Sequence, residues 1–190
     1  MAESKSDIRK RILKIRDGMQ PEERERGTIL LTERILGHQW FYHCEDFLCF
    51  VSYGSEIGTD YLLKEALRQG KRVFVPRVLK DYSKTVMEFY QISSLEELLP
   101  GYHGIKEPSG KSEKYVYSQE RADKTLMLMP GVAFDCYRNR IGYGKGFYDR
   151  YLSDKDGLQL HTLAVGFKCQ LVEEIPFAET DIKPYQVICF

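Results

Sequence analysis

Phe47-Leu48-Cys49-Phe50-Val51, Gly58-Thr59, Leu62-Leu63, Ala66-Leu67, Gly70 and Val73-Phe74-Val75-Pro76 follow one another along residues 47–76. The first run is short, continuous and apolar, which suits a strand covered on both faces. Thr59 is an N-cap residue type for a helix whose apolar positions 62, 63, 66 and 67 recur at helical spacing, and Gly70 closes it. Val73-Phe74-Val75 is then a second buried strand, ending at Pro76. Strand, helix and strand in this order form a crossover unit, which makes the two strands parallel. The expected fold class is therefore α/β: a three-layer α/β/α, Rossmann-like domain with a mostly parallel sheet.

Working outward, residues 86–92 alternate in character like a strand near a sheet edge. Leu126-Met127-Leu128-Met129 and Leu163-Ala164-Val165 are further core strands, and Val187-Ile188-Cys189-Phe190 adds a last one. Two helices open the chain. Ile8, Ile12 and Ile15 recur at helical spacing until Asp17-Gly18 breaks the pattern. Pro21 suits a first helical position, Glu22, Glu23 and Glu25 complement the helix N-terminus, and Ile29, Leu30, Ile35 and Leu36 supply the apolar face up to Gly37. Residues 101–123, rich in Gly, Lys, Ser and Glu, read as a long surface loop, a kind of segment that often binds or covers ligands.

The 190 residues fit one domain spanning 1–190, large enough to bury roughly 70% of the unfolded chain's surface. Lys plus Arg equals Asp plus Glu at 28 each, so the basic excess of a dedicated nucleic-acid binder is absent. The five cysteines are scattered without a CxxC pair, which argues against zinc and redox motifs and for a reducing compartment. Residues 1–7 carry charges and no apolar segment, and nowhere do about 18 apolar residues run together. A cytoplasmic location with no membrane partner is expected.

The chemistry concentrates in Arg140-Ile141-Gly142-Tyr143-Gly144-Lys145-Gly146-Phe147-Tyr148-Asp149. Glycines admit positive φ and let backbone N–H groups reach a ligand, and successive N–H groups before a helix form an anion site. Lys145 and Arg140 add charge suited to a polyphosphate, and Asp149 is placed to hold a magnesium ion against it. The GxGxG spacing matches neither the dinucleotide fingerprint nor the Walker loop, and a ligand-free Gly-rich turn has the same spacing. The three charged neighbours favour the anion.

Lys5 and Arg9 share a helix face at i, i+4 and suit a joint grip on phosphate, although a solvated basic face is the ordinary use of such residues. Glu56 follows the first buried strand, at the carboxyl end where open α/β sheets bind ligands; a solvated loop acid is the plain alternative. Asp135 sits similarly after a strand and is equally well explained as a turn former. The four histidines show no ligand spacing, and Trp40, Phe41 and Tyr42 read as packing.

In order along the chain, these segments resemble the 5-formyltetrahydrofolate cyclo-ligase family. The likeness runs from Lys5-x-x-x-Arg9 through Ser52-x-x-x-Glu56-Ile57, Val75-Pro76-Arg77 and Gly104-Ile105-x-Glu107-Pro108. It ends in Pro130-Gly131-Val132-Ala133-Phe134-Asp135 and the glycine loop through Leu152. The resemblance implies ATP- and Mg²⁺-dependent cyclisation of 5-formyltetrahydrofolate to 5,10-methenyltetrahydrofolate, with release of ADP and phosphate through a phosphorylated formyl intermediate. It implies that Lys5, Arg9, Arg140 and residues 141–148 (Ile141, Gly142, Tyr143, Gly144, Lys145, Gly146, Phe147, Tyr148) contact ATP. Lys145 and Arg140 are the implied catalytic groups, and Val51, Glu56, His103, Phe147 and Tyr148 the implied folate contacts. Asp149 and Asp181 are the implied metal ligands. A monomer acting on small molecules alone is expected. The family pattern differs at Tyr185, where a carboxylate is usual, at His103, where an aromatic residue is common, and at Phe147, where tyrosine is common. A binder of the same fold without turnover is the alternative that Tyr185 raises. RNA binding through the basic first helix is opposed by the neutral balance of charge.

Overall fold

The computed structural model describes residues 3–80 and 85–190, so residues 1 and 2 of the opening segment lie outside it. Ten strands run in chain order. They are β1 (Asp46–Cys49), β2 (Arg72–Lys80), β3 (Thr85–Ile92), β4 (Leu99–Pro100), β5 (Lys106–Glu107), β6 (Thr125–Met129), β7 (Ala133–Phe134), β8 (Arg140–Ile141), β9 (Thr162–Gly166) and β10 (Gln186–Cys189). Six form one sheet in the order β10-β9-β6-β1-β2-β3. Every pairing is parallel except that of β2 with β3, an antiparallel hairpin at one edge. The pairs β4–β5 and β7–β8 are separate two-stranded ribbons. This is the mostly parallel α/β sheet that the strand–helix–strand pattern implies.

Alternation along the strands explains why helices cover both faces. Phe47, Cys49, Leu126, Leu128, Leu163 and Val165 point one way, into a core closed by α2 (Pro21–Leu36), α3 (Gln39–His43) and α4 (Asp60–Arg68). Leu48, Met127, Met129 and Ala164 point the other way, against α5 (Gln119–Ala122), α6 (Phe147–Leu152) and α7 (Asp156–Gln159). Successive strand residues face opposite sides, so both parities must be apolar in a covered sheet.

The opening helices depart from the apolar faces read in sequence. In α1 (Lys5–Asp17) the buried residues are Ile8, Ile12 and Arg16, while Ile15 is exposed. In α2 the buried face is Gly27, Leu31, Thr32 and Ile35, and Ile29 and Leu30 face outward. Gly27 is required there: a Cβ at this position would lie 2.6 Å from Phe167 Cε1. Residues 101–123 include β5, α5 and the fully covered Tyr115, so the segment is partly built into the core. Tyr42 is exposed, whereas Phe41 packs edge-on against Phe47 at 5.3 Å.

Helix α1 lies across the carboxyl edge of the sheet, and Ile8 and Ile12 pack on Val132, Ala133, Ile141 and Ile175. The opposite, amino edge is tied by Asp46, a fully buried carboxylate. It accepts a 2.6 Å hydrogen bond from Arg121 Nε and lies 2.6 Å from Arg72 Nε. The Arg121 guanidinium also lies 4.5 Å from the ring centre of Tyr115. Removing one member of such a buried pair leaves the other desolvated and unmatched. Asp46→Ala is expected to cost about 3 kcal/mol of stability, read as a lower urea midpoint with little change in slope.

Candidate active site

The sheet reverses its order between β1 and β6, since β1 continues through α4 to β2 on one side while β6 lies on the other. Such switch points leave a crevice outside the carboxyl ends of the strands. Here Arg16, Phe50, Glu56, Pro130, Gly131 and Gln170 line it, around a hollow too narrow to hold a water molecule. The loop after β1 is held in place by Thr59, which occupies the N-cap position of α4 but does not cap it. Its hydroxyl donates to the Phe50 carbonyl at 2.9 Å and accepts from the Ser52 N–H at 3.0 Å.

The glycine loop, residues 142–146, leaves the β7–β8 ribbon and enters α6. Gly144 (φ 93°) and Gly146 (φ 60°) take the left-handed conformation that side chains disfavour. At Gly144 a Cβ would also lie 3.6 Å from the Arg9 guanidinium. Arg9 Nε donates to the Gly142 carbonyl at 2.8 Å, so α1 grips the loop by its backbone. The N–H groups of residues 142–146 make no hydrogen bond to the described residues. Since α6 has only six residues, most of the positive field comes from side chains rather than a helix dipole.

Five cations surround this loop, among them Arg150, whose Nη1 donates to the Lys145 carbonyl at 2.7 Å. Arg140, with 5% of its side chain exposed, donates from Nη2 to Asp149 Oδ1 at 2.8 Å, and its buried Nε has no partner among the described residues. Lys5 pairs with Asp181 Oδ2. Arg9 holds Gly142, and Lys145 is exposed with no ion pair among the described residues. An orphaned guanidinium nitrogen, unbonded loop N–H groups and a free ammonium together fit a polyphosphate. The two carboxylates are adjacent through the backbone, because the Ile182 N–H donates to Asp149 Oδ1 at 3.2 Å and Asp181 precedes Ile182. Asp149 Oδ2 and Asp181 Oδ1 carry no bond to the described residues, and Asp149 Oδ2 faces the Gly146 end of the loop. Among the described residues no three His, Cys, Asp or Glu side chains cluster, so a cation here would need oxygens from phosphate and water, as magnesium takes.

Glu56 stands on the other side of the loop. Its Oε2 accepts the Tyr53 N–H at 2.9 Å. Burial pushes its carboxyl above the usual range, against the pull of that hydrogen bond and of the nearby Tyr143 hydroxyl and Arg16 guanidinium. Tyr143 is half exposed as a residue but turns its hydroxyl inward, where burial and the Glu56 charge push its pKa up to about 12. Burial raises Tyr148 likewise. Its ring lies under the Arg140 guanidinium, 5.7 Å from centre to carbon. Phe147 contacts Tyr102 at 5.9 Å, and Tyr102 stacks edge-on with His103 at 4.3 Å, so His103 lies on the rim of the same side.

Of the residues anticipated from sequence, Lys5, Arg9, Arg140, Lys145, Asp149 and Asp181 converge on the loop. Ile141 contributes backbone only, because its side chain is 1% exposed among Ile8, Ile12 and Ala133. Val51 likewise packs into the core on one face of the sheet. Asp135 is the turn former: it accepts from the Tyr137, Asn139 and Ile175 N–H groups and from Asn139 Nδ2. Tyr185 lies against Trp40 at 4.9 Å, beside the sheet edge. Sequence reasoning missed Arg16, which is 2% exposed and bonds both Ser55 Oγ and the Tyr143 hydroxyl. Its signal was the spacing 8, 12, 16, which continues the buried stripe.

A mostly parallel sheet covered by helices on both faces, with a cation-lined glycine loop beside it, defines an α/β protein. The sequence model of the 5-formyltetrahydrofolate cyclo-ligase family matches residues 1–189. A probable 5-formyltetrahydrofolate cyclo-ligase of Caenorhabditis elegans is 32% identical over 200 residues, covering 98% of this chain and 92% of its own. The 5-formyltetrahydrofolate cyclo-ligase of Escherichia coli K12 is 30% identical over 88% of this chain and 90% of its own. The solved structure of Aquifex aeolicus 5,10-methenyltetrahydrofolate synthetase superposes with a TM-score of 0.77 at 28% identity, covering 95% of this chain and 86% of that one. The chain belongs to the 5-formyltetrahydrofolate cyclo-ligase family, and is an enzyme of the ligase class.

Because Glu56 titrates higher in the fold than its ordinary 4.5, its ionised form costs folding free energy above the raised value and nothing below the unfolded one. Glu56→Gln should therefore be more stable than the parent at pH 7.5, and the difference should vanish as pH falls to about 4. Paired urea titrations at the two pH values check this.

Proposed function

We propose that this enzyme converts 5-formyltetrahydrofolate and MgATP to 5,10-methenyltetrahydrofolate, ADP and phosphate. The observation that carries the reading is the junction of two unlike half-sites at one switch point. One is the glycine loop with Arg9, Arg140, Lys145 and Lys5; the other is the crevice that presents Glu56.

The chemistry requires both halves. A formamide carbon is a weak electrophile and its oxygen a poor leaving group. Transfer of the γ-phosphoryl group to the formyl oxygen gives an iminium-like phosphate; N10 then attacks the formyl carbon, and phosphate leaves with the C–O bond. Catalysis of such transfers consists mainly of positioning and charge stabilisation. In this reading the loop N–H groups, Lys5 and Arg9 hold the polyphosphate, with Phe147 and Tyr148 at its inner end. Arg140 and Lys145 take the charge that builds on the transferring group. Asp149 and Asp181 would hold Mg²⁺, which would supply charge neutralisation to the phosphates. Glu56 accepts N–H groups of the pterin, and Val51, His103, Phe147 and Tyr148 wall that end against water, which competes for the activated carbon.

We further read the chain as one domain acting in the cytoplasm as a monomer on small molecules, with neither nucleic acid nor a membrane as partner. In support, no helix among the described residues is long and apolar enough to cross a membrane.

The direct test mixes purified protein with 5-formyltetrahydrofolate and MgATP and follows methenyl absorbance with ADP. Equal, ATP-dependent amounts of both are expected; binding of both substrates without product would overturn the assignment. Lys145→Ala should lower kcat by about 100-fold or more while the folate KM stays within about twofold. Glu56→Gln should act mainly on folate KM, and an unchanged KM would remove Glu56 from the pterin pocket.

A further inference from the structure

Arg16 is a buried charge that the reaction as described does not use, and it meets three segments of the carboxyl edge at once. Its Nε donates to Ser55 Oγ at 3.0 Å, its Nη2 to the Tyr143 hydroxyl at 2.6 Å, and its Nη1 lies 3.5 Å from the Gly131 carbonyl. A guanidinium only donates, so both hydroxyls accept from it. Ser55 passes its own proton to Asp17 Oδ1, which brings a counter-charge from the next residue of the same helix. Ser55 lies inside the turn that carries Glu56: the Glu56 N–H donates to the Tyr53 carbonyl at 3.1 Å, and the Tyr53 N–H to Glu56 Oε2 at 2.9 Å. Tyr143 follows Gly142 in the glycine loop, and Gly142 is held by Arg9 from two turns earlier in α1.

We propose that Arg16 is a positioning residue: it braces the turn of residues 53–56 against the glycine loop and so fixes how far the folate-side acid stands from the phosphate cradle. The inference rests on the reading of those two regions as folate and nucleotide half-sites. Each half-site is carried by a loop, and loops move more than the elements they join. Phosphoryl transfer needs the formyl oxygen in line with the γ-phosphate, and a misplacement of about 1 Å costs on the order of 100-fold in rate. One planar group serves this need because its donors keep a set angle to one another, a fork that lysine does not present. The surroundings hold the guanidinium still. Arg16 is 2% exposed, and the hollow beside it, among Phe50, Pro130, Gly131 and Gln170, is too narrow for a water molecule.

Two measurements test the brace. The first needs no substrate and follows the amide resonances of residues 142–146 by NMR in ligand-free protein. Ser55→Ala, which removes one acceptor on the far side of Arg16, should shift those resonances. The same substitution in an Arg16→Met background should leave them unmoved. Shifts that stay within the loop around residue 55, or that persist in the Arg16→Met background, would overturn the brace whatever reaction the enzyme performs. The second measurement is kinetic. Arg16→Met should lower kcat roughly 100-fold while the Kd of MgADP and of 5-formyltetrahydrofolate, each measured alone, stay within about twofold of the parent. That is the pattern of lost alignment rather than lost binding. Ser55→Ala and Arg16→Lys should lower kcat by less, again with both Kd values held. Both Kd values rising together, with kcat per folded molecule unchanged, would mean that Arg16 is merely structural and would overturn the proposal. Should Arg16→Met fail to fold, Arg16→Lys takes its place in both measurements. Amide shifts relayed through Arg16 in a parent that makes no methenyl product would uphold the brace and sink the catalytic reading.

Discussion

Like charges repel, and five cations stand around five residues of backbone. The fold meets that constraint by pairing. Asp181 takes Lys5, Asp149 takes Arg140, the Gly142 carbonyl takes Arg9 and the Lys145 carbonyl takes Arg150, leaving the Lys145 ammonium free in solvent. Each pairing spans two elements, so the interactions that hold the cations apart also hold α1, the loop, α6 and the segment around residue 181 together. Two carboxylates stand against five cations, so the site is net positive on its own. A set of unpaired cations in the same space would have driven α1 away from the loop.

The sheet decides where this assembly stands. Both strand faces are apolar, so helices cover both and the carboxyl edge is left as the open surface. The reversal between β1 and β6 splits that edge into a crevice with Glu56 on one wall and Gly131 on the other. Helix α1 crosses it by burying Ile8 and Ile12 on the β7–β8 ribbon. It thereby delivers Lys5 and Arg9 to the loop and Arg16 to the crevice from a single rigid element.

The fold was legible in the sequence where burial is periodic. Phe47, Leu48 and Cys49 alternate between two cores as a covered parallel strand must, and β1, α4 and β2 follow the written pattern. Among the polar residues, Arg140, Lys145 and Asp149 stood out from the chemistry of the glycine loop itself, whereas Lys5, Arg9 and Glu56 were set apart from ordinary surface charges only by the family likeness. Helical spacing alone left Lys5 and Arg9 indistinguishable from the other basic residues of α1. Arg16 stayed hidden because arginine is assumed to face solvent, although its register with Ile8 and Ile12 marked it as buried. Ile15, Ile29 and Leu30 misled for the opposite reason: an apolar side chain on a surface helix is common and need not mark the inner face. The Tyr143 hydroxyl was beyond sequence reasoning, since its direction depends on a proton donated from a residue 127 positions away.

One pairing joins nearly the whole length of the chain. Lys5 and Asp181 are separated by 176 positions, so the first helix waits for one of the last segments before its charge is matched. During synthesis the βαβ half emerges early and can bury Phe47 and Val73 against α4, whereas α1 has no settled place until β7, β8 and the stretch beyond β9 have left the ribosome. Long-range closure of this kind is slow compared with the local folding that precedes it. A nascent chain therefore carries the local strand–helix–strand unit well before the charges of α1 are matched.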